Sequence, residues 1–454
     1  MENPIYEINK SYVMQIENII TNRDWTELKK LILTIPPPDL AEIYSGLNEK
    51  YNFLFFRNLP TDIAADVFSH LDPEEQQELL TKFTGKQTKG ILAELDPDDR
   101  TAFLEELPGD LTRKLLNLLS SEDLKEARQL LGYPEDSVGR NMTPDYVAVK
   151  KDLTVKKAIE YIRKYGKDKE TINVIYVIDE SKHLIGEFRI RNLILADTQK
   201  KISDIMNKVI VTLSAFNDQE KAVTALQQYD KIAIPVVDSK NTIVGIVTFD
   251  DVMDIAEEEV TEDIQKSSSV SPLETDYSQA KVWKLYIKRI GWLLFLLITG
   301  FFTSKIISFF EGVLAARVVL AFFIPVLLAS GGNTGAQITT LVIRAIATRD
   351  IELTDWFKIF IKELLLGLFL GSTLAFFSFV LAAFIGSDIK IGIIVGTSMI
   401  FIVLWANLIG ALLPILITKM HFDPALVSNP LITTIVDISG LLIYFYIGTM
   451  LLGI

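Results

Sequence analysis
The chain has 454 residues, 49% of them hydrophobic and 23% charged, with a formal net charge of −13, enough for two to four domains. It has no cysteine, and its three histidines, His70, His183 and His421, lie far apart. That argues against disulfide scaffolds, thiolate zinc sites, iron–sulfur clusters, cysteine nucleophiles and His-rich metal sites, and the acidic balance argues against nucleic acid, which needs a basic patch.

Charge divides the chain. Residues 1–280 hold 33 of the 45 Lys and Arg and 50 of the 58 Asp and Glu; residues 281–454 hold the other 12 and 8. The first part reads as an acidic soluble protein and the second as a membrane domain. Met1 to Lys30 carries charges throughout and no apolar core, so no secretory signal is expected there. The N-terminal part should stay on the side where it was made.

From residue 35 apolar residues recur every twelve positions: Ile35, Leu47, Leu59, Leu71, Phe83, Leu95, Leu107 and Leu119. Several open a helix-start signature, as in Leu71-Asp72-Pro73-Glu74-Glu75, Leu95-Asp96-Pro97-Asp98-Asp99 and Leu119-Ser120-Ser121-Glu122. A capping Asp or Ser, a first-turn Pro and acids at the positive helix end agree with one another. Short stacked helices of this kind form a superhelix, and residues 1–136 are expected to be such a helical N-domain, a contact surface rather than a catalyst.

A longer repeat follows. Met142-Thr143-Pro144-Asp145-Tyr146-Val147-Ala148-Val149 matches Met206-Asn207-Lys208-Val209-Ile210-Val211-Thr212-Leu213. Each copy continues with a helical stretch and then a β-rich run, Val174–Asp179 and Ile232–Asp238. Each closes with strand and helix, from Leu184 and from Ile243. This order resembles a tandem pair of α/β CBS modules, at 137–200 and 201–252. The second ends in Gly245-x-x-Thr248-x-x-Asp251, and the resemblance implies that Thr248 and Asp251 face a nucleotide's ribose and phosphate. The first departs, with Arg189 and Asn192 at those places.

Residues 253–280 read as an acidic connecting helix and linker. Asp251, Asp254, Glu258 and Glu262 follow helical spacing on one face, with Asp250, Glu257, Glu259 and Asp263 beside them. Like charges so placed repel, and a divalent cation bridging them to another acidic surface would relieve the repulsion. The facing candidates are Asp96, Asp98 and Asp99 in the N-domain and Asp218, Glu220 and Asp230 in the second module.

In residues 281–454 five stretches, roughly 287–310, 313–341, 357–385, 389–418 and 424–453, carry the twenty or so apolar residues that a span needs. With the N-terminus inside, inner flanks collect Lys281, Lys284, Lys288, Arg289, Arg344, Arg349, Lys358, Lys362 and Lys419, against Lys305, Arg317 and Lys390 outside. This sets the N-terminus in the cytosol and the C-terminus outside a cell membrane. The second stretch contains Pro325 and the run Ser330-Gly331-Gly332-Asn333-Thr334-Gly335-Ala336-Gln337, whose glycines and amides read as a break in the helix. Small and polar residues also mark Trp405–Pro414 and Asp423-Pro424-Ala425 through Asp437. Asp437 falls well inside the fifth stretch, where an Asp costs about 2.5–3.5 kcal/mol, and no Lys or Arg lies deep enough to pair with it. The candidate ligands are hard oxygens, which suit magnesium, calcium, manganese, sodium or protons.

Domain order and motifs together resemble the MgtE family of magnesium channels over essentially the whole chain. The resemblance implies a homodimer in the lipid bilayer with a pore between subunits and Mg2+ as substrate and regulator. It implies Asp437 as the pore acid, with Asn333, Asn429 and Thr433 near the hydrated ion. Cytosolic Mg2+ would join the N-domain, CBS pair and connecting helix and close the pore. The sensing ligands are then sought among Asp98, Asp99, Asp218, Glu220, Asp230, Asp250, Asp251, Asp254, Glu258, Glu262 and Asp263, and ATP is expected at the CBS modules. Two rivals remain. A proton- or sodium-coupled transporter of Mn2+ or Co2+ would use Asp437 as relay. An intramembrane zinc protease would need a His-Glu-x-x-His helix, whereas the membrane half offers only His421, so no enzyme is expected.

Overall fold
A computed structural model describes residues 4–273, 277, 280–348, 350–386, 388–420, 422–424 and 427–453. Met1, Arg349, His421 and Ala425, named above, lie outside them. The chain divides into two compact units, Met1–Glu257 and Glu258–Ile454.

The first unit opens with short helices: α1 (Pro4–Thr21), α2 (Trp25–Ile32), α3 (Pro37–Gly46), α4 (Glu49–Arg57), α5 (Thr61–Ser69), α6 (Pro73–Lys82), α7 (Gly85–Glu94), α8 (Pro97–Glu105), α9 (Gly109–Leu116) and α10 (Ser121–Leu130). The twelve-residue period is the period of their common core. Ile35, Leu47, Leu59, Leu71, Leu95 and Leu107 are buried in it, and Phe83 and Leu119 pack against it. Leu47, Phe83 and Leu95 are the C-cap residues of α3, α6 and α7, so the residue that ends a helix is also the one that turns inward. Burying each such side chain stabilises by about 1.5–3 kcal/mol. Ser120 caps α10 through a capping box with Asp123. Asp72 and Asp96 hold the N-cap positions of α6 and α8 but make no capping bond, and Pro73 and Pro97 start those helices instead.

Two three-stranded sheets follow. β1 (Ala148–Lys150), α11 (Val155–Tyr165), β2 (Val174–Ile178), β3 (Leu184–Arg189) and α12 (Ile190–Leu195) make the first. β4 (Leu213–Ser214), α13 (Glu220–Tyr229), β5 (Ala233–Val237), β6 (Ile243–Thr248) and α14 (Phe249–Ser267) make the second. In each the middle strand, β2 or β5, pairs parallel with the strand before it and antiparallel with the strand after it. The leading methionines cross over. Thr143 exchanges backbone bonds with Ile246 of β6, and Asn207 with Glu187 of β3. A Cβ at Gly245 would stand 2.8 Å from both the Met142 sulfur and the Thr143 carbonyl oxygen, so that crossing requires glycine; one at Gly186 would stand 2.7 Å from the Met206 sulfur and 3.2 Å from the Asn207 carbonyl oxygen, a tight fit. Met142 therefore belongs to the core of the second module, with Leu213, Ile234 and Val247, although it opens the first in sequence.

The second unit holds α15 (Val282–Phe309), α16 (Glu311–Ala316), α17 (Ile324–Ala347), α18 (Trp356–Gly386), α19 (Ile389–Lys419) and α20 (Asn429–Leu452), with 3-10 turns at Val318–Phe323 and Leu353–Asp355. Among the described residues five segments are long and apolar enough to span a membrane: α15, α17 with its preceding turn, α18 with its own, α19 and α20. None of the α15 side chains is buried, as suits a helix facing lipid.

The expected break in the second stretch is absent. α17 runs unbroken through Ser330–Gln337. Its glycines serve close packing instead. A Cβ at Gly331 would lie 2.7 Å from Ile402 of α19, and at Gly332 and Gly335 2.8 Å from Thr433 and Ile432 of α20. Across α19, a Cβ at Gly410 would reach within 2.6 Å of the Gly335 carbonyl. Small residues let membrane helices approach backbone to backbone, and that gain outweighs their poor helix propensity.

Candidate functional site
α20 carries Asn429, Thr433 and Asp437 at steps of four, hence on one face. The Thr433 hydroxyl donates to the Asn429 carbonyl at 3.0 Å, which ties it to its own helix. The Asn429 side-chain oxygen accepts from Thr340 of α17 at 3.4 Å. Asp437 is half-buried, its Oδ1 fully so, and among the described residues that oxygen accepts no hydrogen bond. On α17, Asn333, Gln337 and Thr340 follow helical spacing and are all exposed, while the opposite side with Gly335, Ile338 and Thr339 is buried. A polar stripe on a membrane helix is stable only against protein or water. Thus Asn429, Thr433 and Asp437 share one helix face, and Asn333 lies on the exposed stripe of α17.

One membrane acid escapes sequence reasoning. Glu363 of α18 is 5% exposed, and Asn407 of α19 donates to its carboxylate at 2.7 Å and to its backbone carbonyl at 2.8 Å. It follows Lys358 and Lys362, and so reads as part of a charged flank.

A second group of acids lies in the first unit. Asp98 and Asp99 open α8, Asp250 and Asp251 open α14, and Asp254 follows a turn later. Burial, then the charges of Asp251, Asp99 and Glu170, push the Asp98 carboxyl well above its usual range, and among the described residues its buried Oδ1 has no hydrogen-bond partner. Burial and Asp96 push Asp99 up to about 6. Burial, Asp96 and Asp251 push Glu170 up to about 7. Burial also raises Asp251, partly offset by the Thr248 hydroxyl that donates to it at 2.5 Å. Glu170 is the residue sequence reasoning missed, because no local pattern brings the first module's loop to α8 and α14. Among the described residues no three acidic or histidine side chains gather tightly enough to hold a metal ion.

The other expected sensing residues are placed elsewhere. Asp218 accepts from the Glu220 backbone at 3.0 Å ahead of α13, and Asp230 ends that helix in a left-handed conformation, φ 48°. Glu258, Glu262 and Asp263 belong to the second unit. Glu262 pairs with Lys266. Burial and the charge of Asp423 raise Asp263.

The nucleotide expectation at Thr248 and Asp251 meets a different environment. Asp251 lies among carboxylates, which would repel a polyphosphate. A cavity of about 280 Å³ opens instead beside the first module's closing strand, lined by Glu187, Arg189, Arg191, Asn192, Asn207 and Lys231 among others. Glu187 is buried and paired with Lys231, while its Oε2 accepts no bond among the described residues. Bases beside a buried acceptor suit a phosphate-bearing ligand with a hydrogen-bonding base.

Residues 324–447 match the family model described as MgtE, divalent cation transporter; residues 35–136 match the MgtE intracellular N domain, and 136–198 and 202–258 match the CBS domain. The chain is 40% identical to the magnesium transporter MgtE of Thermus thermophilus over 98% of this chain and 99% of that one. It is 34% identical to the MgtE of Bacillus subtilis over 96% of each. Among solved structures it resembles the cytosolic domain of the Mg2+ channel MgtE in complex with ATP, with a TM-score of 0.52 and 34% identity over 54% of this chain and 99% of that one. It also resembles the soluble part of a magnesium transporter, with a TM-score of 0.53 and 28% identity over 55% and 99%.

Proposed function
The chain belongs to the MgtE family of magnesium transporters, with an intracellular N domain and a multi-pass membrane domain, and from that premise we propose that Mg2+ enters the cell past Asp437 and closes its own path by binding the cytosolic acids. The observation that carries the reading is the Asp437 carboxylate, with one buried oxygen unbonded, on the face that also presents Asn429 and Thr433. Mg2+ sheds water reluctantly and is held through one or two carboxylates and retained waters, so a single acid flanked by amides and hydroxyls suits a hydrated ion. The exposed stripe of Asn333, Gln337 and Thr340 supports a path completed by a second copy of the chain. Five spans and the excess of Lys and Arg on the inner flanks support a C-terminus outside the cell membrane.

Closure follows from the acids of the first unit. Without Mg2+, Asp98, Asp99, Glu170, Asp250 and Asp251 repel one another. With Mg2+ bound through water the repulsion is relieved and the closed population grows. Several such ions acting together make closure steep in Mg2+. Glu258, Glu262 and Asp263 extend the same acidic helix. ATP belongs in the cavity of Arg189, Arg191 and Lys231.

Mg2+ flux into proteoliposomes tests this, with unmodified protein and Asp437→Ala at low and high cytosolic Mg2+. Flux that collapses at high Mg2+ and fails in the variant supports the reading. Flux unaffected by the variant removes Asp437 from the path, and flux that follows pH rather than the Mg2+ gradient replaces the channel by a coupled transporter.

A further inference from the structure
In sequence Arg344 counts only among the bases of the inner flanks, and a base in the last turn of α17 suits the negative end of that helix. Its place on the helix gives it a second role. Asn333, Gln337, Thr340 and Arg344 follow at steps of four, three and four, and all four are exposed. The arginine therefore ends the polar stripe of α17. The acids of the inner half are engaged elsewhere. Asp350 accepts from the Thr348 hydroxyl at 2.9 Å, Asp423 from Lys266 at 2.8 Å and Glu363 from Asn407 at 2.7 Å. Among the described residues no acid is paired with the Arg344 guanidinium.

The packing of α17 on α20 fixes the level at which the stripe ends. Gly332 lies against Thr433, Gly335 against Ile432, and Thr340 bonds to Asn429, so rising numbers on α17 meet falling numbers on α20. Asn429 is the first residue of α20. Arg344 lies one turn beyond it, and Asp437 lies two turns the other way. At 1.5 Å per residue the two charges stand about 18 Å apart along the helices. With the N domain intracellular and α15 and α17 each crossing once, α17 ends on the inner side.

We propose that Arg344 stands at the inner mouth of the Mg2+ path as a fixed positive charge that thins divalent cations there, so that cytosolic Mg2+ is kept from re-entering toward Asp437. A charge facing a path repels cations in proportion to their own charge, and it acts most where ions must gather before they enter. Outward flux starts from that mouth. Inward flux starts from the opposite side of the membrane, beyond the reach of the charge at physiological ionic strength. Asp437 thus draws ions in and Arg344 biases the direction from which they come. In a path completed by a second copy the bias is doubled. The inference rests on the reading that these faces of α17 and α20 line the path.

The test compares outward and inward Mg2+ flux in proteoliposomes with cytosolic Mg2+ held below half-closure. Arg344→Gln should raise outward flux about tenfold and leave inward flux within about twofold, while Arg344→Lys should match the unmodified protein. Because repulsion scales with ion charge, outward Na+ flux through Arg344→Gln, measured without divalent ions, should rise only about threefold, the square root of the Mg2+ effect. In about 1 M choline chloride the differences should vanish. Lys419→Gln removes another base of the inner flank, at the end of α19 and off the stripe, and should change neither direction. The Mg2+ concentration that half-protects the cytosolic region from protease should be the same in all variants, which separates the mouth from the gate. An equal change in both directions, an equal effect on Na+ and Mg2+, or the same effect from Lys419→Gln overturns the proposal and leaves Arg344 a lipid-facing anchor. Failure of Asp437→Ala to abolish flux would strike the underlying reading instead, while the outward-to-inward ratio in Arg344→Gln still decides whether this arginine meets ions.

Discussion
Asp251, in the first turn of α14, raises the proton affinity of Asp98, in the first turn of α8, on top of the effect of burial. Both carboxylates sit near the positive ends of their helices, which favours their charge, and both still bind protons more tightly than usual. The same holds for Asp99, pushed up to about 6, and Glu170, up to about 7. A carboxyl whose pKa is higher folded than unfolded adds stability below its unfolded value and loses it as pH rises through the folded one. The Mg2+-free cytosolic region should therefore resist proteolysis better at pH 5.5 than at pH 8, with the loss falling between about 4 and 7. Mg2+ should confer its largest protection at pH 8. Protection by Mg2+ that is equal at both pH values would count against these acids as its site.

Neutralising one of them separates repulsion from ligation. Glu170→Gln removes a charge raised chiefly by burial, Asp96 and Asp251. The Mg2+-free protein should become more resistant to protease, while the Mg2+ concentration giving half-maximal protection should rise roughly threefold to tenfold, which is about 0.7–1.4 kcal/mol. Limited proteolysis over a Mg2+ series measures both quantities at once.

The packing of α17 on α20 gives a steric prediction. A Cβ at Gly332 would stand 2.8 Å from the Thr433 methyl and one at Gly335 2.8 Å from that of Ile432, so Gly335→Val forces the two helices apart. Overpacking of this kind costs about 1–3 kcal/mol, and flux should fall at least tenfold. Thr433→Ser relieves the contact at Gly332 and should partly rescue Gly332→Ala in the same flux assay.

How much of this was legible varied with the range of the interaction. The twelve-residue repeat was readable because each apolar residue answers to its own helix end. Asp437 was readable because a charge amid apolar residues has no local explanation. The run Ser330–Gln337 was misread as a break because glycines that break a helix and glycines that let two helices touch look alike until the partner, here Ile432 and Thr433, is known. Glu170 and the Lys266–Asp423 pair had no local signal, since their meaning lies in residues far along the chain.

The cavity beside the first module predicts which substitutions affect nucleotide binding. Arg191→Ala or Lys231→Ala should weaken ATP binding to the purified protein about tenfold or more, since a hydrogen bond to a charged group contributes about 1.5–3 kcal/mol. Thr248→Ala should leave it within about twofold, because the Thr248 hydroxyl is committed to Asp251. Titration calorimetry with ATP distinguishes the two, and a large loss in Thr248→Ala would move the site back to the second module.

Asn407 holds Glu363 inside the membrane domain from the side of α19 that faces α18, while on the same helix the Gly410 carbonyl accepts from Thr339 of α17 at 3.1 Å. Removing Asn407 leaves a buried carboxylate without its donor, which costs about 1–3 kcal/mol or more, whereas removing both partners leaves neither unsatisfied. Asn407→Leu should lower the thermal stability of the detergent-solubilised protein by several degrees and reduce flux. Asn407→Leu with Glu363→Leu should recover most of the stability, and Glu363→Gln, which keeps an acceptor for Asn407, should stay close to the unmodified protein. Half-saturation by Mg2+ should be the same in all of them, because none of these side chains belongs to the line of Asn429, Thr433 and Asp437. A shift in half-saturation with Glu363→Gln would make the carboxylate itself part of the ion's route.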